Sequence, residues 1–398
     1  MLALEDGFQA KLSGNTVEYK IDDGEWTSLA SDTYTPTVNA GQRIYFKGNL
    51  TPTSSKGIGT FVTNKKYNLE GNCMSMLYGD EAEGKVGLTG KNYAFCNLFS
   101  GSTYLVEIVS DFLPATTLAK YCYSWMFEGC KALVTAPELP VTTLAERCYY
   151  FMFRGCTSLV TAPELPATTL SEGCYYSMFL SCKALVTAPE LPSTTLANYC
   201  YNYMFDGCTS LVTAPELPAT TLVTNCYYGM FKDCTSLVTA PELPATTLAT
   251  GCYYGMFSGC TSLVTAPELP STTLANDCYC QMFYGCKALV TAPSILPATT
   301  LAYRCYYQMF QDCTSLVNAP VLPATTLATS AYTYMFYYCK NLNNITMLAT
   351  DISASSCLYY WVYYVASSGT FTKAASMTSL PSGAHGIPSG WTVKNYNG

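Results

Sequence analysis

Charged residues are scarce in this sequence. They make up 12% of the 398 residues and leave a net charge of −7, whereas about 25% is usual for a soluble domain. A chain without an excess of basic residues lacks the surface that neutralises nucleic-acid phosphates, so we expect no nucleic-acid partner. Apolar runs of about 18 residues are also missing, which argues against insertion into a membrane.

Histidine is limited to His385, and this restricts the possible chemistry. Because His385 lies in a segment rich in Gly and Pro, we expect an exposed loop residue without a partner. The segment 84–91, GKVGLTGK, lacks the spacing of a phosphate-binding loop. Carboxylates recur at identical repeat positions, which does not create the different environments that a catalytic acid and base need. We predict no catalytic residues, no metal, no cofactor and no enzymatic activity.

Cysteine is abundant instead, with 21 residues at regular intervals. One recurs every 26 residues, with a single interval of 27, at Cys122, Cys148, Cys174, Cys200, Cys226, Cys252, Cys278 and Cys305. Each is followed eight residues later by a second cysteine, about 12 Å away if the segment is helical, and a disulfide needs Cα atoms within about 7 Å. The spacing also matches no common zinc site. We predict free buried thiols in two ladders, and a reducing or anaerobic setting.

A fixed period of this length is typical of a solenoid, in which each repeat packs only against its neighbours. In one copy, Thr143 and Glu146 have the spacing of a helix capping box, and Gly155 suits a helix C-terminus. Apolar residues between them recur at helical intervals, which predicts a helix of about three turns. The following TSLVTAPELPAT favours a strand that its prolines keep short. The pattern predicts an α/β solenoid with one helix and one short strand per coil.

The repeat also resembles a known family. Its core residues match the F-x-x-C-x-x-L-x-x-I-x-I-P pattern of BspA-like leucine-rich repeats at Phe153, Cys156, Leu159, Ala162, Leu165 and Pro166. The period is 26 where the family commonly has 23, and Ala followed by Pro replaces the strand isoleucine. The resemblance implies a right-handed leucine-rich-repeat coil that serves recognition or adhesion at the surface of an anaerobic bacterium, with a protein or glycan partner. Related reading frames in phages imply the alternative of a virion tail or fibre protein that binds the host surface.

The sequence pattern divides the chain into four predicted segments. Residues 1–70 alternate apolar and polar side chains around a hairpin signal at Asp23-Gly24, which predicts a small antiparallel β-sandwich or barrel. Residues 71–121 form an atypical N-terminal capping coil, lengthened by the residues from Val109 to Phe112. The solenoid covers 122–365. Residues 366–398 form a C-terminal cap with a terminal strand pair. The N-terminal residues do not resemble a signal peptide.

Two sets of repeat positions are candidate binding sites. Four positions vary freely between copies, and three of them have the spacing i, i+4 and i+7 of one helical face. Large side chains on this variable face are typical of interfaces, and unconstrained variation is the alternative: Trp125, Arg147, Phe151, Arg154, Tyr199, Tyr203, Lys232, Tyr284 and Tyr334. A second set forms an acidic ridge, which would bind cations or basic ligands or simply stay solvated: Glu138, Glu164, Glu190, Glu216, Glu242 and Glu268.

Overall fold

The computed structural model describes residues 1–53, 56–108 and 111–397. It divides into two compact units, Met1–Leu191 and Pro192–Gly398. Val109, where we placed the start of the insertion in the capping coil, lies outside the described residues. The boundaries of the four segments given above remain predictions. No helix in the described part of the chain is long and apolar enough to cross a membrane.

The first unit begins with small β-sheets. Its strands are β1 (Leu2–Ala3), β2 (Ala10–Ser13), β3 (Val17–Ile21), β4 (Thr27–Leu29), β5 (Ile44–Lys47), β6 (Thr60–Thr63), β7 (Tyr67–Leu69) and β8 (Leu105–Ile108). They form the sheets β4-β3-β5, β2-β6 and β1-β7-β8. The hairpin predicted around Asp23-Gly24 is confirmed, since β3 and β4 pair antiparallel. Strand β7 pairs in parallel with β8, so the N-terminal sheets continue directly into the first coil.

The helix that we predicted in every coil is wrong. Among the described residues the only α-helix is the single turn α1 (Ser75–Tyr78), followed by a 3-10 turn at Gly79–Glu81. The segment 143–156 consists of successive turns, and every fourth residue takes a positive φ: 51° at Arg147, 55° at Phe151 and 71° at Gly155. Such left-handed residues cannot continue an α-helix. The proposed capping box is also absent, because the Glu146 carboxylate bonds to Lys120 instead.

Backbone hydrogen bonds explain this conformation. The N–H of Tyr150 donates to the carbonyl of Arg147, three residues back, at 3.3 Å. The N–H of Tyr149 points the other way and donates to the carbonyl of Cys174 in the next coil, at 3.1 Å. N–H groups that bond within the coil and N–H groups that bond to the next coil alternate in this way along the turn segment, and the same alternation is found in the coils of the second unit. Half of the N–H groups therefore close turns, and the other half hold neighbouring coils together.

Side chains follow the same four-residue period. Two adjacent residues point inward and the next two point outward, so that Cys148, Tyr149, Met152 and Phe153 are almost completely buried. In the first unit the ring centroids of Phe127 and Phe153 are 5.6 Å apart. In the second unit the Tyr and Phe ladders continue to Trp361, which contacts the last ring of each, Tyr332 and Phe336.

The cysteines form the predicted ladders. All 21 are free and buried. The second cysteine of a coil donates its thiol to the carbonyl of the core phenylalanine in the preceding coil, as from Cys156 Sγ to Phe127 O at 3.1 Å and from Cys260 Sγ to Phe231 O at 3.0 Å. Burial raises the pKa of the Cys122 thiol to about 12. The ladders therefore consist of neutral thiols that act as small hydrogen-bonding core residues.

The strand of each coil is shorter than expected. In most coils it is reduced to single parallel bridges between threonines, such as Thr135 with Thr161 and Thr239 with Thr265. The two prolines of these copies, such as Pro137 and Pro140, have no N–H to extend the pairing. Among the described residues, regular strands of the coils occur at the two ends: β8 in the first coil, and near the C-terminus β9 (Asn344–Met347), β10 (Thr370–Lys373) and β11 (Thr392–Asn395), which form a parallel sheet. This confirms the terminal strand pair.

The turn conformation can be tested at Gly255, which has a φ of 57°. A Cβ there would meet nothing closer than the Ser258 Cβ at 3.8 Å, so an added methyl group tests the backbone alone. We expect Gly255→Ala to lower the free energy of unfolding by about 1–2 kcal/mol, measured by urea denaturation. If the segment were an α-helix, Gly255→Ala would instead raise the free energy of unfolding by about 1 kcal/mol.

The control is Ser330→Gly, at a residue with a φ of 56°. Removing a side chain from a left-handed residue should leave stability unchanged or raise it by up to about 1 kcal/mol. Destabilisation by Ser330→Gly together with stabilisation by Gly255→Ala would contradict the turn assignment.

Independence of the coils can be tested by deleting residues 226–251, one complete repeat. Because each coil contacts only its neighbours, the shortened protein should still unfold cooperatively. Phe231 is fully buried, 5.7 Å from Phe205 and from Phe257, so Phe231→Asp should abolish folding by burying a charge. Circular dichroism checks both. A folded Phe231→Asp protein with an aggregated deletion would show that the repeat frame is wrong.

Candidate functional site

The residues of the variable face are brought to one side by turns, not by a helix. The position before the first cysteine of a coil and the third position after it both have a positive φ, as at Tyr121 (56°) and Trp125 (54°). Their rings are almost parallel, with centroids 6.5 Å apart. The four-residue period of the turns therefore produces the grouping that we attributed to helical spacing.

In the first unit these positions form a nearly continuous aromatic surface. Trp125 lies 6.1 Å from Phe151 in the next coil, with rings 13° from parallel, and it meets the edge of Tyr150 at 5.0 Å. Tyr150 stacks on Tyr176 at 4.9 Å. All five aromatic residues, including Tyr121, are half-buried. We call Tyr121, Trp125, Tyr150, Phe151 and Tyr176 the aromatic face.

Two arginines border the aromatic face. Arg147 donates to the Tyr121 hydroxyl at 2.6 Å and to the Glu172 carboxylate at 2.7 Å. Arg154 is exposed, donates to Glu128 at 3.2 Å, and places its guanidinium 5.1 Å from the centre of the Phe151 ring. These contacts hold both side chains against the rings. The surface thus combines fixed apolar rings with oriented N–H donors at its edge.

The second unit has a smaller equivalent of this surface. Tyr203 meets the edge of Tyr228 at 5.1 Å, and Tyr228 stacks on Tyr254 at 4.5 Å. Lys232 lies 3.8 Å from the Asp233 carboxylate. Tyr199 and Tyr284 are half-buried at their predicted positions. Tyr334 lies in a larger aromatic group near the C-terminus.

Sequence reasoning missed the tyrosines at the second position after the first cysteine. Tyr150, Tyr176, Tyr228 and Tyr254 follow a core tyrosine directly, and the repeated Tyr-Tyr pair was the available signal. His385 is exposed, as predicted. Its Nδ1 accepts a hydrogen bond from the Tyr360 N–H at 3.0 Å, so the expectation that His385 has no partner is wrong.

The six glutamates of the predicted acidic ridge are all exposed. In the first unit Glu138 and Glu164 border a shallow groove of 350 Å³, and four of its eight lining residues are prolines. In the second unit Glu242 and Glu268 border a similar groove of 360 Å³. Across the described residues, no three His, Cys, Asp or Glu side chains are grouped so as to hold a metal ion. Cation binding by the ridge therefore remains a prediction.

Burial raises the pKa of two carboxyls at variable positions, Asp206 and Asp277, and the larger effect is on Asp206. Burial raises the pKa of Asp206 to about 6, against the opposing effect of Lys232. A carboxyl whose pKa is higher in the folded than in the unfolded state stabilises the fold most at low pH, where it is protonated in both states. Stability should therefore fall as the pH rises from about 4 to 6, and Asp206→Asn should reduce this dependence and raise the melting temperature at pH 7. A melting series between pH 4 and pH 7 checks this, with Glu216→Gln, at an exposed carboxyl of the acidic ridge, as the control.

Comparisons with known proteins identify the repeats. A family model described as BspA type leucine rich repeat region, in six copies, matches residues 126–263, 172–317 and 253–362, together more than half of the chain. A crystal structure of a leucine-rich repeat protein from Bacteroides ovatus is similar at 17% identity with a TM-score of 0.36, over 76% of this chain and 80% of that one. No curated protein matches the chain. The chain belongs to the family of proteins with BspA-type leucine-rich repeats.

Proposed function

We propose that the protein is a non-enzymatic recognition module at the surface of an anaerobic bacterium, and that its aromatic face binds a protein or glycan on another surface. Membership of a repeat family that is typically non-catalytic supports this. The abundance of neutral buried thiols fits a reducing or anaerobic setting. The repeat-related carboxylates occupy equivalent exposed positions, an arrangement suited to a surface and unsuited to catalysis.

One observation carries the proposal: aromatic residues occupy turn positions that favour glycine. Trp125 and Phe151 have positive φ values of 54° and 55°, a conformation that costs about 1–2 kcal/mol for a residue with a Cβ. Glycine occupies the same turn position in other coils, at Gly229 and Gly255. Folding therefore does not require an aromatic residue there. Binding gives these rings a role that compensates for the backbone cost.

The composition of the aromatic face fits an interface. Trp, Tyr and Arg are the residues that most often contribute strongly to binding free energy. The rings stack on one another and the two arginines are held by hydrogen bonds, so little side-chain entropy is lost when a partner binds. Polar groups at the edge leave the centre free of charge, as in protein interfaces generally.

The decisive variant is Trp125→Asn with Phe151→Asn, because asparagine accepts a positive φ and leaves the core untouched. Two residues that each contribute about 2 kcal/mol would together account for a nearly thousandfold loss of affinity. The melting temperature should stay close to that of the parent protein. Binding is measured on arrays of extracellular proteins and of glycans.

The matched control is Glu138→Gln with Glu164→Gln, on the proline-lined groove of the same unit. This variant should keep full binding. If the control loses binding while the asparagine variant keeps it, the partner binds the groove and the aromatic face is not the site. A large drop in melting temperature of the asparagine variant would show that the rings mainly stabilise the fold.

A further inference from the structure

The last coils of the second unit carry tyrosines that the repeated core does not use. They lie outside the buried ladders, and with the single histidine we call them the tyrosine cluster: Tyr334, Tyr337, Tyr338, Tyr359, Tyr360, Tyr363, Tyr364 and His385. All are half-buried or exposed, and Tyr359 and Tyr364 keep 43% and 50% of their surface accessible. This concentration is much higher than in the preceding coils.

The rings pair between neighbouring coils at equivalent positions. Tyr334 and Tyr360 are 6.0 Å apart and 4° from parallel. Tyr337 and Tyr363 are 5.8 Å apart, and the nearby rings of Tyr338 and Tyr364 are 4.5 Å apart. Contacts within a coil, such as Tyr363 with Tyr364 at 4.1 Å, connect these pairs. The result is a single aromatic surface, in which Tyr359 and Tyr364 are the most exposed tyrosines.

Four of these tyrosines have a left-handed backbone. The φ values are 55° at Tyr334, 64° at Tyr338, 48° at Tyr360 and 59° at Tyr364, and each carries the cost of about 1–2 kcal/mol that glycine would avoid. An earlier coil of the same unit has glycine at both positions, Gly255 and Gly259. The solenoid therefore does not need tyrosine there, and strain of this kind is typical of functional sites.

His385 adds a fixed polar group. A backbone N–H can only donate, so the bond from Tyr360 N–H makes Nδ1 the acceptor and places the proton of the neutral ring on Nε2. The ring also packs on Tyr359 and Tyr360, at 5.2 and 4.6 Å. The loop that carries it is anchored by a bond from Trp361 Nε1 to Gly386 O at 2.9 Å. An oriented N–H donor thus stands beside the rings at an exposed position.

Charge at the cluster is low and balanced. Among the described residues its charged contacts are Lys340, whose Nζ is 5.2 Å from the centre of the Tyr338 ring, and Asp312, whose charge acts on Tyr337. One charge of each sign gives no net attraction for a polyanion. Aromatic rings alone also attract quaternary ammonium ions, so choline is included in the test below as the competing ligand. A neutral ligand with many hydroxyl groups fits both the rings and the donors.

We propose that the tyrosine cluster is a binding site for neutral carbohydrate. The C–H face of a pyranose ring would lie on the accessible faces of Tyr359 and Tyr364, where the negative ring face attracts C–H groups. Sugar hydroxyls would bond to the tyrosine hydroxyls and to the Nε2–H of His385. The site uses only residues of the second unit and does not depend on the proposed role of the aromatic face in the first.

The test uses the full chain in native gels that contain hydroxyethylcellulose, yeast mannan or starch, which are neutral, or heparin, which is anionic. At least one neutral polysaccharide should retard the protein, and heparin should not. Tyr360→Asn with Tyr364→Asn should weaken retardation at least tenfold, because asparagine suits the left-handed backbone and removes two rings. His385→Ala, at an exposed residue, should weaken it several-fold and covers the case in which the double variant fails to fold.

Two controls separate this site from other effects. Tyr104→Asn removes an exposed tyrosine outside the cluster, and Trp125→Asn with Phe151→Asn removes two rings of the aromatic face. Both variants should keep full retardation. The proposal is overturned if no neutral polysaccharide retards the parent protein, or if both cluster variants are retarded like the parent. Retardation by heparin alone, or loss of retardation in the presence of choline, would also overturn it.

Discussion

The structure depends on how each turn segment divides its backbone N–H groups. The N–H of Tyr149 donates to the next coil and that of Tyr150 closes a turn within its own coil, and this division is repeated throughout. Unpaired N–H groups are costly in a buried segment, so a coil is complete only beside another coil. The division also requires a left-handed residue at every fourth position. Side-chain direction, core composition and the location of variable residues all follow from it.

The core is uniform because equivalent residues of successive coils lie directly beside one another. Phenylalanine stacks on phenylalanine at about the same separation in both units, 5.6 Å for Phe127 with Phe153 and 5.7 Å for Phe231 with Phe257. The second cysteine of each coil must be small and must donate to a carbonyl of the preceding coil, as Cys156 does. Serine would carry a more polar group into this apolar site. Free thiols therefore satisfy the contacts between coils.

Much of this could be predicted from the sequence, and the exception has a clear cause. The period, the buried thiols and the hairpin at Asp23-Gly24 were accessible from spacing and composition, and the repeat family was accessible from the resemblance of its core motif. The absence of a helix could not be predicted. Inward pairs such as Cys148-Tyr149 and Met152-Phe153 recur every four residues, and this period is close to the 3.6 residues per turn of an α-helix. The signal for left-handed turns was the recurrence of Gly, Asn, Asp and Ser at many of the outward positions four residues apart, such as Gly251 and Asn225.

The same turns explain why the candidate sites vary while the core does not. An outward turn residue must only accept a positive φ, so several coils have glycine there and a larger side chain carries a backbone cost. Trp125 and Phe151 in one unit, and Tyr360 and Tyr364 in the other, carry that cost together with neighbours that stack on them. Scattered drift would place single large residues at unrelated coils. Grouped aromatic residues at strained positions in adjacent coils are better explained by selection for a binding surface. Because these residues point outward, such a surface can change without disturbing the coil that supports it.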